Sequence, residues 1–131
     1  MDSRPQFDVL IVDDEDSLRE NLAIFLEDEG FSVIEAITAE LALEQLFQKS
    51  FRFVIVDMRL PAMDGAELIR RAHAIDDTSH FFIHTASTEF SLPPELRAIG
   101  VQSEHVFHKP IKDMSIISKA LGAFEIALGE G

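Results

Sequence analysis

The chain has no cysteine, no tryptophan and no tyrosine. Without cysteine there are no disulfides, no zinc-thiolate sites and no thiol catalysis. Eleven phenylalanines supply the aromatic rings apart from five histidines. Basic residues are also scarce: 11 Lys and Arg stand against 24 Asp and Glu, a formal net charge of −13. Most of that excess lies early, with 15 acids and 5 bases in residues 1–65. Such a chain repels phosphate backbones and anionic lipid, so no direct nucleic-acid or membrane contact is expected. No apolar run approaches the ~18 residues of a membrane span. The start, Met1-Asp2-Ser3-Arg4-Pro5, carries no apolar signal region, and the expectation is a cytoplasmic protein. The carboxylates crowded into the first half suggest a bound cation.

What is present is globular. The 131 residues are 47% hydrophobic and 27% charged, which suits one domain over 1–131 that needs no covalent staples. Short apolar runs at 9–12, 53–56, 81–83 and 106–107, and an alternating run at 31–36, are too short for helices and read as strands. Helical spacing lies between them. Leu18, Leu22, Phe25 and Leu26 share a face before a stop at Gly30. Thr38 caps a helix with Leu43, Leu46 and Phe47. Asp64 or Gly65 opens a third, carrying Leu68, Ala72 and Ile75. Pro93-Pro94 opens a short fourth that ends at Gly100. A fifth begins near Asp113 and shows Ile117, Ala120, Leu121, Phe124 and Leu128. Phe25, Phe47 and Phe124 are expected in the core. Alternation of strand and helix predicts a doubly wound α/β sandwich around a five-stranded parallel sheet.

The residues that follow the strands carry the chemistry. Asp13 and Asp14 follow the first, Asp57 the third, Thr85 the fourth and Lys109 the fifth. In a parallel sheet these ends share one edge, where open α/β folds bind ligands. Three carboxylates in one crevice call for a cation. Hard oxygen ligands select Mg²⁺ or Mn²⁺ over zinc or copper. A lysine and a hydroxyl at the same place suit phosphate oxygens, and an aspartate between them is a suitable phosphoryl acceptor.

Four segments together resemble the receiver domain of two-component response regulators. They are Leu10-Ile11-Val12-Asp13-Asp14-Glu15, Val54 through Gly65 with Asp57-Met58-Arg59-Leu60-Pro61 within it, Thr85-Ala86, and Lys109-Pro110. The resemblance covers nearly the whole chain. It implies the flavodoxin-like strand order 2-1-3-4-5. It further implies that Asp57 accepts the phosphoryl group, that Asp14 binds Mg²⁺ directly and Asp13 through water, and that the Arg59 carbonyl is another ligand. Thr85 and Lys109 would hold phosphate oxygens, with a cis bond at Lys109-Pro110. The implied donor is a histidine kinase or phosphotransfer protein. The implied output is contact with a downstream protein, or with an output domain outside this chain. Such a domain is a switch that assists its own phosphorylation and dephosphorylation, not an enzyme acting on a free substrate.

Other readings fit less well. Asp14-Glu15-Asp16 is faintly similar to the nucleophile motif of haloacid-dehalogenase-type phosphatases, but no later acidic pair follows a strand. A flavodoxin needs a glycine- and hydroxyl-rich phosphate loop where this chain has four acids. Departures from the receiver pattern concern signalling more than chemistry. Val106 stands where these domains usually carry Tyr or Phe, the stretch from Gly100 to Lys109 is one residue longer than usual, and the fourth helix is short. These departures also suit a receiver that has lost switching and serves as a scaffold. Arg59 has two expected uses, covering the phosphoryl group or pairing with Glu15. Asp16 is expected to serve the start of the first helix. His84 and His108 are read as ordinary strand-end histidines, with a titrating pair as the alternative.

Overall fold

A computed structural model describes residues 3–130, with side chains described as far as Phe124. Five strands form one parallel sheet in the order β2-β1-β3-β4-β5. They are β1 (Gln6–Val12), β2 (Val33–Ala36), β3 (Ser50–Val56), β4 (His80–Thr85) and β5 (Val106–His108). The helices are α1 (Asp16–Asp28), α2 (Ala39–Gln48), α3 (Gly65–Ile75), α4 (Pro94–Ile99) and α5 (Ser115–Glu130), with a 3₁₀ turn at Ser103–His105. Among the described residues no helix is long and apolar enough to cross a membrane.

The continuous apolar runs are explained by the sheet's two covered faces. Successive strand residues point to opposite sides. Leu10, Val12, Val54, Val56 and Ile83 meet the layer of α2, α3 and α4. Val9, Ile11, Phe53, Ile55 and Phe82 meet α1 and α5. Burying each such side chain contributes about 1.5–3 kcal/mol, so a polar residue within Val9–Val12 or Phe53–Val56, the fully buried ends of β1 and β3, has no tolerable face.

Helix ends follow local chemistry. The Thr38 hydroxyl accepts from Leu41 N at 3.1 Å, and the Asp64 carboxylate accepts from Glu67 N at 2.8 Å. Gly100 takes a left-handed φ of 115° just after α4, which spans six residues. Asp16 is the first residue of α1 and pairs with Arg19 at 3.0 Å; the preceding Glu15 makes no capping bond.

Two expectations, the start of β2 and the burial of Phe47, are corrected, and others are met or refined. β2 begins at Val33 instead of Phe31, because Ser32 exchanges side-chain–backbone bonds with Asp8 at 2.8 and 2.9 Å. Phe47 is 67% exposed, because α2 buries the stripe Ala39, Ala42 and Leu46 and turns its neighbour to solvent. Phe25 and Phe124 do pack against the α1/α5 core. α5 starts at Ser115, whose amide bonds the Asp113 carboxylate at 2.9 Å. The side chain of Leu128 lies outside the described residues. His84 and His108 form no pair. His84 is in register with Phe107 and His108 with Thr85, so their side chains leave opposite faces.

Candidate phosphoacceptor and metal site

β1 and β3 end side by side, and the residues just past them are the acids. Val12 pairs in register with Val56 and Val56 with Ile83, so Asp13 and Asp57 emerge together one residue beyond the ladder. Asp57 N donates to the Val12 carbonyl at 3.0 Å, and Asp13 N to the Ala36 carbonyl at 3.2 Å. Asp13 and Asp57 are 2% and 4% exposed, while Asp14 faces solvent. One carboxylate oxygen from each of the three lies within 4.8 Å of the others.

Lys109 reaches this cluster from beyond β5. Its Nζ lies 2.9 Å from Asp13 Oδ2, 3.1 Å from Asp57 Oδ2 and 3.1 Å from Glu15 Oε1. Its amide donates to the Thr85 carbonyl at 2.7 Å, and the Lys109–Pro110 bond is cis. Thr85 is fully buried, with its hydroxyl oxygen accepting from Ser87 N at 3.1 Å. The Arg59 amide donates to Asp57 Oδ1 at 3.0 Å, while the Arg59 side chain is exposed. Glu15 therefore pairs with Lys109, and the alternative pairing with Arg59 is not formed.

Charge follows from this geometry. Burial holds the Asp57 carboxyl above its usual range; the Arg59 amide and Lys109 oppose that, and Asp13 adds to it. Burial disfavours the Lys109 ammonium, yet its bonds to Asp13 and Glu15 keep it firmly protonated. Asp13, Asp14, Glu15 and Asp57 thus face one ammonium, an uncompensated negative corner. The donor set fits a hard divalent ion. Opposite corners of an octahedral Mg²⁺ stand about 4 Å apart, and one ligand held through water accommodates a slightly wider spread.

The turn after Asp57 is close-packed. Gly65 N donates to the Met58 carbonyl at 3.1 Å, and a Cβ at Gly65 would lie 2.5 Å from the Asp57 carbonyl oxygen. Asp64-Gly65 is structural, as expected, and its glycine lets α3 start against the acceptor's own backbone.

Two contacts are not implied by the motifs. Glu15 is the third carboxylate on Lys109. Arg19, 6% exposed, donates to the Asp13 carbonyl at 2.9 Å and to Glu35 Oε1 at 3.0 Å. The signal available for the second was a basic residue on the buried side of α1, one position after Leu18. Through Glu35 and Arg19, β2 is thus tied to the acid-bearing loop.

The response regulator receiver domain model matches residues 9–121. The chain belongs to that family. It is 31% identical over 102 residues to sporulation initiation phosphotransferase F of Bacillus subtilis, covering 78% of this chain and 81% of that protein. Several other relatives are transcriptional regulatory proteins, and the chain spans 31–51% of their length. A CheY-like receiver domain from Methanospirillum hungatei superposes with a TM-score of 0.79 at 26% identity, covering 98% of this chain and all of that one. A response regulator from Burkholderia pseudomallei, solved with a phosphorylated aspartic acid, calcium and citrate, superposes at 0.76 with 23% identity, over 97% of this chain and 73% of its own.

Proposed function

We propose that this receiver domain accepts a phosphoryl group on Asp57 from a histidine kinase or phosphotransfer protein, with Mg²⁺ held by Asp14, Asp57, the Arg59 carbonyl and, through water, Asp13. The observation that carries the reading is the single ammonium of Lys109 held between buried Asp13 and Asp57, beside a third carboxylate. A relative with a phosphorylated aspartate and a bound divalent ion supports it. In the transfer, the bond from phosphorus to the donor's imidazole nitrogen breaks as the bond to an Asp57 oxygen forms, and the imidazole regains a proton from water. Mg²⁺, when bound, neutralises charge on the phosphoryl oxygens.

The chain's own residues supply the rest. Lys109 keeps the attacking carboxylate ionised despite burial and then pairs with a phosphoryl oxygen. The Thr85 hydroxyl, whose oxygen accepts from Ser87 N, donates its own O–H to another such oxygen. Arg59, exposed two residues past the acceptor, governs water access to the product. Asp57 and its neighbours assist both formation and slow hydrolysis, so we read the domain as a switch. Mn²⁺ satisfies the same oxygen set. The whole of 1–131 acts as one receiver unit in the cytoplasm, and output runs through protein contact with a downstream target or an output domain.

Incubation with a small phosphodonor and Mg²⁺, followed by intact mass, tests the assignment. One alkali-labile phosphoryl group is expected on wild type and none on Asp57→Asn, with circular dichroism confirming that the variant folds. Equal labelling of folded Asp57→Asn removes Asp57 from the acceptor role.

A further inference from the structure

The loop between β1 and α1 carries Asp13, Asp14 and Glu15, yet few bonds of its own hold it. Glu15 N donates to Asp13 Oδ1 at 2.9 Å, and Asp13 N to the Ala36 carbonyl at 3.2 Å. Lys109 holds the Asp13 and Glu15 carboxylates from one side; a second buried cation, Arg19, holds the Asp13 main chain from the other. Nη1 of Arg19 donates to the Asp13 carbonyl at 2.9 Å and lies 3.0 Å from Asp16 Oδ1. Nε donates to Glu35 Oε1 at 3.0 Å. One rigid guanidinium fork thereby ties α1, the end of β2 and the acid-bearing loop to one another. Arginine suits this task because its planar donors are fixed relative to each other.

Charge and position make opposite demands here. A cation beside three carboxylates weakens divalent-ion affinity by simple repulsion. A clamp on the carbonyl of a metal-binding residue strengthens it by orienting the ligand. We infer that Arg19, itself oriented by Glu35, is the positioning residue of the divalent-cation site, setting the direction in which Asp13 and Asp14 present their carboxylates. The inference rests on the reading of Asp13, Asp14 and Asp57 as that site. Arg19 touches neither the ion nor the phosphoryl group; it acts through the Asp13 main chain. Glu35 holds the far end of the fork, so its loss leaves a cation free to turn toward Asp16 and Glu20, the latter 3.8 Å from Nη2.

Mg²⁺ titration at fixed ionic strength, followed by backbone amide shifts, separates the two demands. Arg19→Gln is expected to weaken Mg²⁺ binding about tenfold, the lower end for loss of a partner behind a metal ligand. In the metal-free protein it is expected to shift the amides of Asp13, Asp14 and Glu15, while those of β4 stay. Glu35→Gln and Glu20→Gln each remove one negative charge near Arg19, and only the first is expected to weaken binding appreciably. Binding by Arg19→Gln as tight as wild type or tighter overturns the inference, since that is the outcome of repulsion alone. Equal effects of Glu35→Gln and Glu20→Gln overturn it too, and that comparison decides if Arg19→Gln does not fold. Failure of wild type to bind Mg²⁺ instead removes the site itself, and the inference with it.

Discussion

His84 makes the stability of this protein steeply dependent on pH below neutrality. It sits on β4, directly before Thr85, is 5% exposed, and its Nε2 finds no hydrogen-bond partner among the described residues. Burial pushes its pKa down to about 4, and the neighbouring Lys109 ammonium pushes the same way, against weaker opposing effects of Asp13 and Glu15. The unfolded chain binds a proton on this histidine near the ordinary value of about 6.5. The folded chain refuses it until about pH 4. Between those limits the unfolded state carries the extra proton, so stability rises with pH across the window and falls as acid is added. The full separation corresponds to about 3 kcal/mol, of which about 2 kcal/mol is already lost at pH 5. That is a large share of the roughly 5–15 kcal/mol of a typical domain.

The perturbation is His84→Val, which puts an apolar side chain of good strand propensity on a buried strand and removes the titrating ring. Urea unfolding followed by circular dichroism at pH 7.5 and pH 5, without metal, gives the comparison. Wild type should lose about 2 kcal/mol more than the variant over that interval. His80 and His105 are also held below their usual range by burial, and Asp57 above its own. Those groups contribute to both proteins, so the difference isolates His84. Parallel losses in the two proteins would refute the reasoning.

Three further outcomes are expected. A hundredfold excess of Mg²⁺ over its dissociation constant stabilises the fold by about 2.7 kcal/mol, a rise in melting temperature of about 5–12 °C for a chain of this length; Asp14→Asn raises the metal-free melting temperature and abolishes most of the gain, both read from thermal melts by circular dichroism. Lys109→Ala leaves buried Asp13 and Asp57 without their shared cation and costs about 3–5 kcal/mol in metal-free urea unfolding, with Mg²⁺ restoring more stability to the variant than it adds to wild type. Gly65→Ala forces a Cβ to within 2.5 Å of the Asp57 carbonyl oxygen and lowers stability by about 1–3 kcal/mol, with slower labelling by a small phosphodonor because the acceptor's own turn must move.

The sequence alone determined the alternation of buried strands and helices, because runs such as residues 9–12 and 53–56 are tolerable only inside a sheet covered on both faces. It also placed the acids, Thr85 and Lys109 at one edge, because parallel strands align their carboxyl ends. Local chemistry marked Thr38, Asp64 and Gly100 as helix boundaries, since each acts within four residues of itself. What it left open depended on partners distant in the chain. Glu15 lies on Lys109 instead of Arg59 only because the parallel sheet brings the chain just past β1 and the chain just past β5 to one edge. Arg19 reads as one more charge on α1 until β2 brings Glu35 beneath it. Phe47 reads as core by hydrophobicity, but the direction of α2 over the sheet turns it to solvent. His84 and His108 look alike in sequence, each one residue before a site residue. The register between β4 and β5 sends one inward, where its charge is unaffordable, and the other to the surface.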